Sequence, residues 1–119
     1  RLQSAQEDWG SQLKRGVDLS SADLSQMDLA DVNLSDADLR NADLAGAIFT
    51  DAIFSNADLS GTDLSRANLK GADMSEANLS EANLSGANLS DVNLERAFLN
   101  GAVLCNTIMP DHSVVFKDC

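Results

Sequence analysis

The sequence predicts an all-β coil of short extended segments and tight corners, wound around a dry Ala/Leu interior. Three observations predict it. The chain reads in fives without interruption from residue 17 to residue 111. Leu holds one position of the five, and a small residue, usually Ala, stands two places before it. Aromatics make up only 4% of the chain and Tyr is absent, so the interior must be built from small and branched aliphatic side chains.

The first units are Val17-Asp18-Leu19-Ser20-Ser21, Ala22-Asp23-Leu24-Ser25-Gln26 and Met27-Asp28-Leu29-Ala30-Asp31. The nineteenth is Thr107-Ile108-Met109-Pro110-Asp111. The central Leu gives way only to Phe49, Phe54, Met74 and Met109, and the small position varies at Val17, Met27, Val32, Thr62, Val92 and Thr107. A period of five fits neither ordinary element. On an α-helix it overshoots a turn by ~140°, which would spiral the leucines around every side. On a straight strand an odd period sends successive leucines to opposite faces. Within one unit, however, the small residue and the Leu are two apart and share a face, while the Asp or Asn between them points out. The last two residues must then bend the chain. Gly46, Gly61, Gly71, Gly86 and Gly101, with Asn and Asp at the same place elsewhere, suit that corner.

These units resemble the pentapeptide-repeat family, whose motif is written A(D/N)LXX, over about four fifths of the chain. The resemblance implies a right-handed parallel β-helix of square cross-section with four units per turn; spacing alone also allows a triangular coil. Four units per turn give about 4.75 coils and a rod roughly 23 Å long at ~4.8 Å per stacked strand. Residues twenty apart then stack. Leu19, Leu39, Leu59, Leu79 and Leu99 form one inward column and Leu24, Leu44, Leu64, Leu84 and Leu104 the next. Phe49 and Phe54 fill the core on adjacent sides of one coil.

Both ends of such a coil need covers, which divides the chain into a cap at 1–16, the repeat at 17–111 and a capping tail at 112–119. Ser4 and Glu7 have capping-box spacing, and Ala5, Trp9 and Leu13 share one helical face. Residues 4–15 therefore read as a short amphipathic helix laying Trp9 over the first coil, with Gly16 just past its end. At the far end, Val114-Val115-Phe116 is expected to cover the last coil. Cys105 and Cys119, the only cysteines, would close a 15-residue loop, worth ~3 kcal/mol in the chain-entropy treatment. Two cysteines so placed favour a disulfide over two inert thiols, and a disulfide belongs to an oxidising compartment. Thr107-Ile108-Met109-Pro110-Asp111 followed by Val114 resembles the terminus of pentapeptide-repeat proteins from cyanobacteria and the thylakoid lumen of plants, where Gly usually stands at the place of His112. A periplasm or thylakoid lumen is the compartment this implies. A signal or transit peptide is absent or already removed.

Nineteen acids against eight bases give a net charge of −11, which opposes direct nucleic-acid binding and docking on an anionic membrane. No run approaches the ~20 apolar residues of a membrane span. The outward position carries Asp18, Asp23, Asp28, Asp38, Asp43, Asp58, Asp63 and Asp73 and no Asp beyond. This row is either a solvated face whose carboxylates bond nearby backbone or a charged face for a basic protein partner. Ca²⁺ needs six to eight converging oxygens, which a divergent row does not offer. Five outward positions turn apolar. Phe98, Val103 and Ile108 lie where the tail can cover them or where a dimer or partner can dock. Ile48 and Ile53 lie around a corner with no tail in reach and are the candidate contact patch. The parts of an enzyme are missing. One histidine, His112, stands in the tail, no Ser-His-Asp or Cys-His order is recognisable, and a filled rod has no pocket for a paired-carboxylate site. No metal or cofactor set is present. The expectation is a non-catalytic structural or protein-interaction module, a monomer or an end-to-end dimer. The alternative, which the resemblance brings in, is an acidic mimic of DNA that inhibits or protects a type II topoisomerase.

Overall fold

The computed structural model describes residues 13–119. Every outward residue from Asp18 to Asn88 makes a parallel bridge to the residue twenty positions on, which is four units. The bridges string into four ladders: Asp18, Asp38, Asp58, Asn78 and Phe98; Asp23, Asp43, Asp63, Asn83 and Val103; Asp28, Ile48, Asn68, Asn88 and Ile108; and Asn33, Ile53, Asp73 and Asn93. The chain is thus a β-helix solenoid. Strands of more than one paired residue are nearly absent because each unit pairs through one extended residue before the corner interrupts it.

One unit shows how the backbone is satisfied. Leu39 N–H donates to Asp58 O (2.8 Å), Asn41 N–H donates to Ser60 O (3.0 Å), and Asp58 N–H donates back to Ala37 O (2.9 Å). Ala42 N–H donates to Leu39 O (3.1 Å) and closes the corner. The same four bonds recur coil after coil, so almost every interior amide and carbonyl is paired across the ladder, as a buried backbone requires.

The fifth residue of each unit but the last sits in the left-handed region, Asn41 at φ 59°, Ser21 at 59° and Glu81 at 62°. Such a conformation costs an L-residue roughly 1–2 kcal/mol, which the fixed hydrogen bonds of the coil offset. Positive φ therefore does not by itself explain the glycines. At Gly71 (φ +74°) an added Cβ would strike the carboxylate of Asp51, the corner residue one coil earlier. Gly61 stands in the same relation to Asn41. Glycine is used where the preceding corner leans its side chain over the next.

Inside, the leucines from Leu19 to Leu89, Met74, Phe49 and Phe54 are buried together with the Ala row. The Phe49 and Phe54 rings meet edge to face, 5.0 Å between centroids at 72°. Thr62 and Thr107 occupy the Ala position fully buried because each hydroxyl donates to a carbonyl, Leu59 O (2.7 Å) and Leu84 O (2.8 Å) respectively.

The ends depart from expectation. Ser4 and Trp9 lie outside the described residues. The expected helix does not reach residue 15: residues 14–16 already form a repeat corner, with Gly16 at φ 76° donating to Ser35 O (2.8 Å) and Val17 N–H donating to Lys14 O (3.2 Å). The coil geometry thus begins one corner before the sequence pattern, because backbone pairing needs no Leu. Leu13 is half-buried against the core.

At the other end, β1 (Cys105–Ile108) and β2 (Val114–Phe116) form an antiparallel hairpin pairing Cys105 with Phe116, Thr107 with Val115 and Ile108 with Val114. Its turn is closed by Met109 N–H on Ser113 O and His112 N–H on Met109 O, both 2.8 Å. His112 takes φ 73°, which accounts for the glycine expected at that place. The Cys105–Cys119 disulfide is formed.

The tail covers less than expected. Because β2 runs back along the third ladder alone, only Val115 is partly shielded, while Val114 and Phe116 are exposed. The hairpin does not reach Phe98 on the first ladder, which is 58% exposed. Val103 and Ile108 are half-buried.

Candidate interaction surface

The interior offers no site. No cavity opens among the described residues, and no three of their His, Cys, Asp or Glu side chains gather to hold a metal ion. No helix there is long and apolar enough to cross a membrane.

The outward carboxylates and amides are built into the corners. Asp63 Oδ1 accepts from Ser65 N–H (3.0 Å) and from Ser65 Oγ (2.6 Å). Asn88 Oδ1 does the same with Ser90 at 3.0 and 2.6 Å. Asp and Asn are interchangeable here because one Oδ1 does the bonding. At Asp23 the same kind of pair favours the charged form, holding it below its ordinary value first through the Ser25 hydroxyl and then through the Ser25 amide. Asp38 is held down chiefly by Arg40, whose Nε (2.8 Å) and Nη2 (2.7 Å) both donate to it. Six aspartates stack on the first two ladders, Asp18, Asp38, Asp58, Asp23, Asp43 and Asp63, and make one acidic flank in which Arg40 pairs with Asp38. Beyond them the same ladders run Asn78 and Asn83, then Phe98 and Val103.

Ile48 and Ile53 point outward from neighbouring ladders across the corner formed by Thr50 and Asp51, at 38% and 37% exposure. Asp28 and Asn68 flank the first, Asn33 and Asp73 the second. They form an apolar island on a polar wall, directly outside Phe49 and Phe54.

The apolar residues of the C-terminal rim escaped sequence reasoning in one respect. Phe98, Val114 and Phe116 are all well exposed. Their apolar character was visible in sequence, but whether the tail shields them depends on which ladder β2 follows, and that is a matter of hairpin direction. His112 Nε2 lies 2.9 Å from Asp91 Oδ1, pinning the hairpin turn to the fourth unit back.

The pentapeptide-repeat pattern matches residues 15–51, 52–91 and 87–111 in eight copies. The chain belongs to the pentapeptide-repeat family. Its coil is similar to the crystal structure of the pentapeptide-repeat protein Rfr23 from the cyanobacterium Cyanothece 51142, at 33% identity over 80% of this chain and 86% of that one, with a TM-score of 0.63. A pentapeptide-repeat protein of the Arabidopsis thaliana thylakoid lumen matches at 28% identity over 95% of this chain and 76% of its own, TM-score 0.46. The plasmid-mediated fluoroquinolone resistance protein QnrB1 matches at 25% identity over 86% and 56%, TM-score 0.49. No curated protein matches the chain.

Proposed function

We propose that this pentapeptide-repeat chain is a non-catalytic interaction module that presents side chains from a rigid four-sided rod to a protein partner in an oxidising extracytoplasmic compartment. The observation that carries the reading is the solid interior: both inward positions of the central units are buried, and no cavity is left for a substrate. The rod is a right-handed coil of about 4.75 turns at ~4.8 Å per strand, with a cap ahead of the corner at residues 14–16 and a tail in residues 112–119. The Cys105–Cys119 disulfide supports the periplasm or thylakoid lumen as its compartment. The acidic flank favours a basic partner surface, and Ile48 with Ile53 supplies an apolar anchor beside the polar wall.

Affinity capture with the oxidised protein from periplasmic or lumenal extract is the test. Ile48→Asn/Ile53→Asn, which restores the polar residue usual at both positions, should weaken capture; no specific binder at all would count against the interaction role. The stacked aspartates favour a second reading, mimicry of DNA charge toward a type II topoisomerase. A gyrase supercoiling assay unaffected at micromolar protein removes it.

A further inference from the structure

The C-terminal end of the coil is an unfinished sheet edge on three of its ladders, the fourth, the first and the second, and only the third is covered. In every earlier coil the central amide, the corner amide and the carbonyl of the small residue bond to the next coil. In the last coil the amides of Leu99, Gly101 and Leu104 and the carbonyls of Ala97 and Ala102 have no such partner among the described residues, because the tail has turned back along the third ladder. Leu99 and Leu104 beneath them are only partly buried. Exposed edges are usually blunted by charge, Pro or a cover. The fourth ladder ends beside Glu95 and Arg96, and the third is covered by β2. The first and second end instead in Phe98 and Val103, where earlier coils carry Asp18, Asp38, Asp58 and Asn78, or Asp23, Asp43, Asp63 and Asn83.

The chain itself shows what fits such an edge. β2 adds antiparallel to the last rung of the third ladder as a run of Val114, Val115 and Phe116, with Val115 paired to the buried Thr107, the other two exposed, and Lys117 immediately after. We propose that residues 97–104 are a docking edge for an extended segment of a partner protein, an apolar run flanked by basic residues, which adds as a further strand. Main-chain bonds to Leu99, Gly101, Ala97 and Leu104 give the register, and outward apolar side chains pack beside Phe98 and Val103. The basic flank meets the aspartates lower on the same two ladders. This rests on the interaction reading and names its surface.

The probe is an acetylated, amidated peptide of the chain's own residues 113–118, Ser-Val-Val-Phe-Lys-Asp, added to the oxidised protein, whose disulfide keeps its own tail closed. Saturable binding with a Kd between about 10 µM and 1 mM is expected, with amide shifts in NMR centred on Leu99 and Gly101. The double variant Phe98→Asp/Val103→Asp places at both sites the residue the same ladders carry earlier, so folding is not at risk. It should weaken the peptide at least tenfold. No saturable binding at 1 mM, or binding that the double variant leaves unchanged, overturns the proposal. So does a dimer of the free protein that the double variant dissolves, since the occupant would then be a second copy. If the double variant still captures the partner that the unaltered protein captures, the edge is not the docking site and the interaction reading stands.

Discussion

The Phe49–Phe54 pair offers a direct measurement of what one coil contributes. Both rings are fully buried, and each stands where other units place Leu. Replacing either by Leu therefore keeps the repeat pattern and removes three side-chain carbons. At ~0.8 kcal/mol per buried carbon the loss is about 2 kcal/mol. Each single variant also loses the edge-to-face contact made at 5.0 Å, about 0.5–1.5 kcal/mol beyond area. Phe49→Leu and Phe54→Leu should thus each cost about 3 kcal/mol. The double variant loses the contact once rather than twice, so it should cost about 1 kcal/mol less than the two singles together. Urea unfolding followed by far-ultraviolet circular dichroism measures all three against the unaltered protein. Additivity within about 0.3 kcal/mol would refute the ring contact as an energetic unit. A single variant that cost nothing would refute the claim that the rings fill the core.

Three further perturbations separate surface from scaffold. Asp63→Asn should be nearly neutral because an amide Oδ1 makes the same bonds to Ser65, whereas Asp63→Ala should cost about 1 kcal/mol in thermal or urea unfolding. Asp23 and Asp38 are held below the ordinary 3.8 when folded, by the Ser25 hydroxyl and the Arg40 guanidinium first. A depressed folded value contributes stability that is present above pH 3.8 and lost as pH falls through the folded values. Melting temperature should therefore drop on the acid side of pH 4, and Asp23→Asn should flatten that limb. Reduction of Cys105–Cys119 should release up to ~3 kcal/mol of loop restraint. Because coils couple only to neighbours, hydrogen exchange should rise by up to ~100-fold in β2 and stay unchanged at Leu59.

The coil was legible because one constraint generates it: a small residue and a Leu, two apart, every fifth place. That pattern fixes the inward columns, the outward position and the corners, and bridges twenty apart follow once four units make a turn. What stayed hidden depends on neighbours one coil away. The glycines read as left-handed corners, yet Ser21, Arg66 and Glu81 take the same φ; Gly71 is needed because of Asp51, twenty residues back. Thr62 and Thr107 read as mere variants because their hydroxyl partners are backbone carbonyls, which composition does not mark. The apolar Val114-Val115-Phe116 run read as a cover for the whole last coil. A three-residue strand can pair with one ladder only, and the alternation of its side chains leaves two of the three in solvent.

The same constraint locates function. Inward positions are committed to the coil, while outward and corner residues face solvent and can change without altering the fold; the outward position is the more uniform of the two, so departures there stand out. Two groups depart. Ile48 and Ile53 interrupt the ladders at mid-rod, where the backbone on either side is already paired, so they can offer contact area but no register. Phe98 and Val103 depart where the backbone is also open, so area and directional hydrogen bonds coincide on one edge. An apolar anchor that comes with free main-chain donors recognises an extended chain in a defined register, whatever its exact side chains. Asparagine at both positions, the residue these ladders carry at Asn78 and Asn83, would separate the two contributions, since it leaves the amides in place and removes the anchor without adding charge.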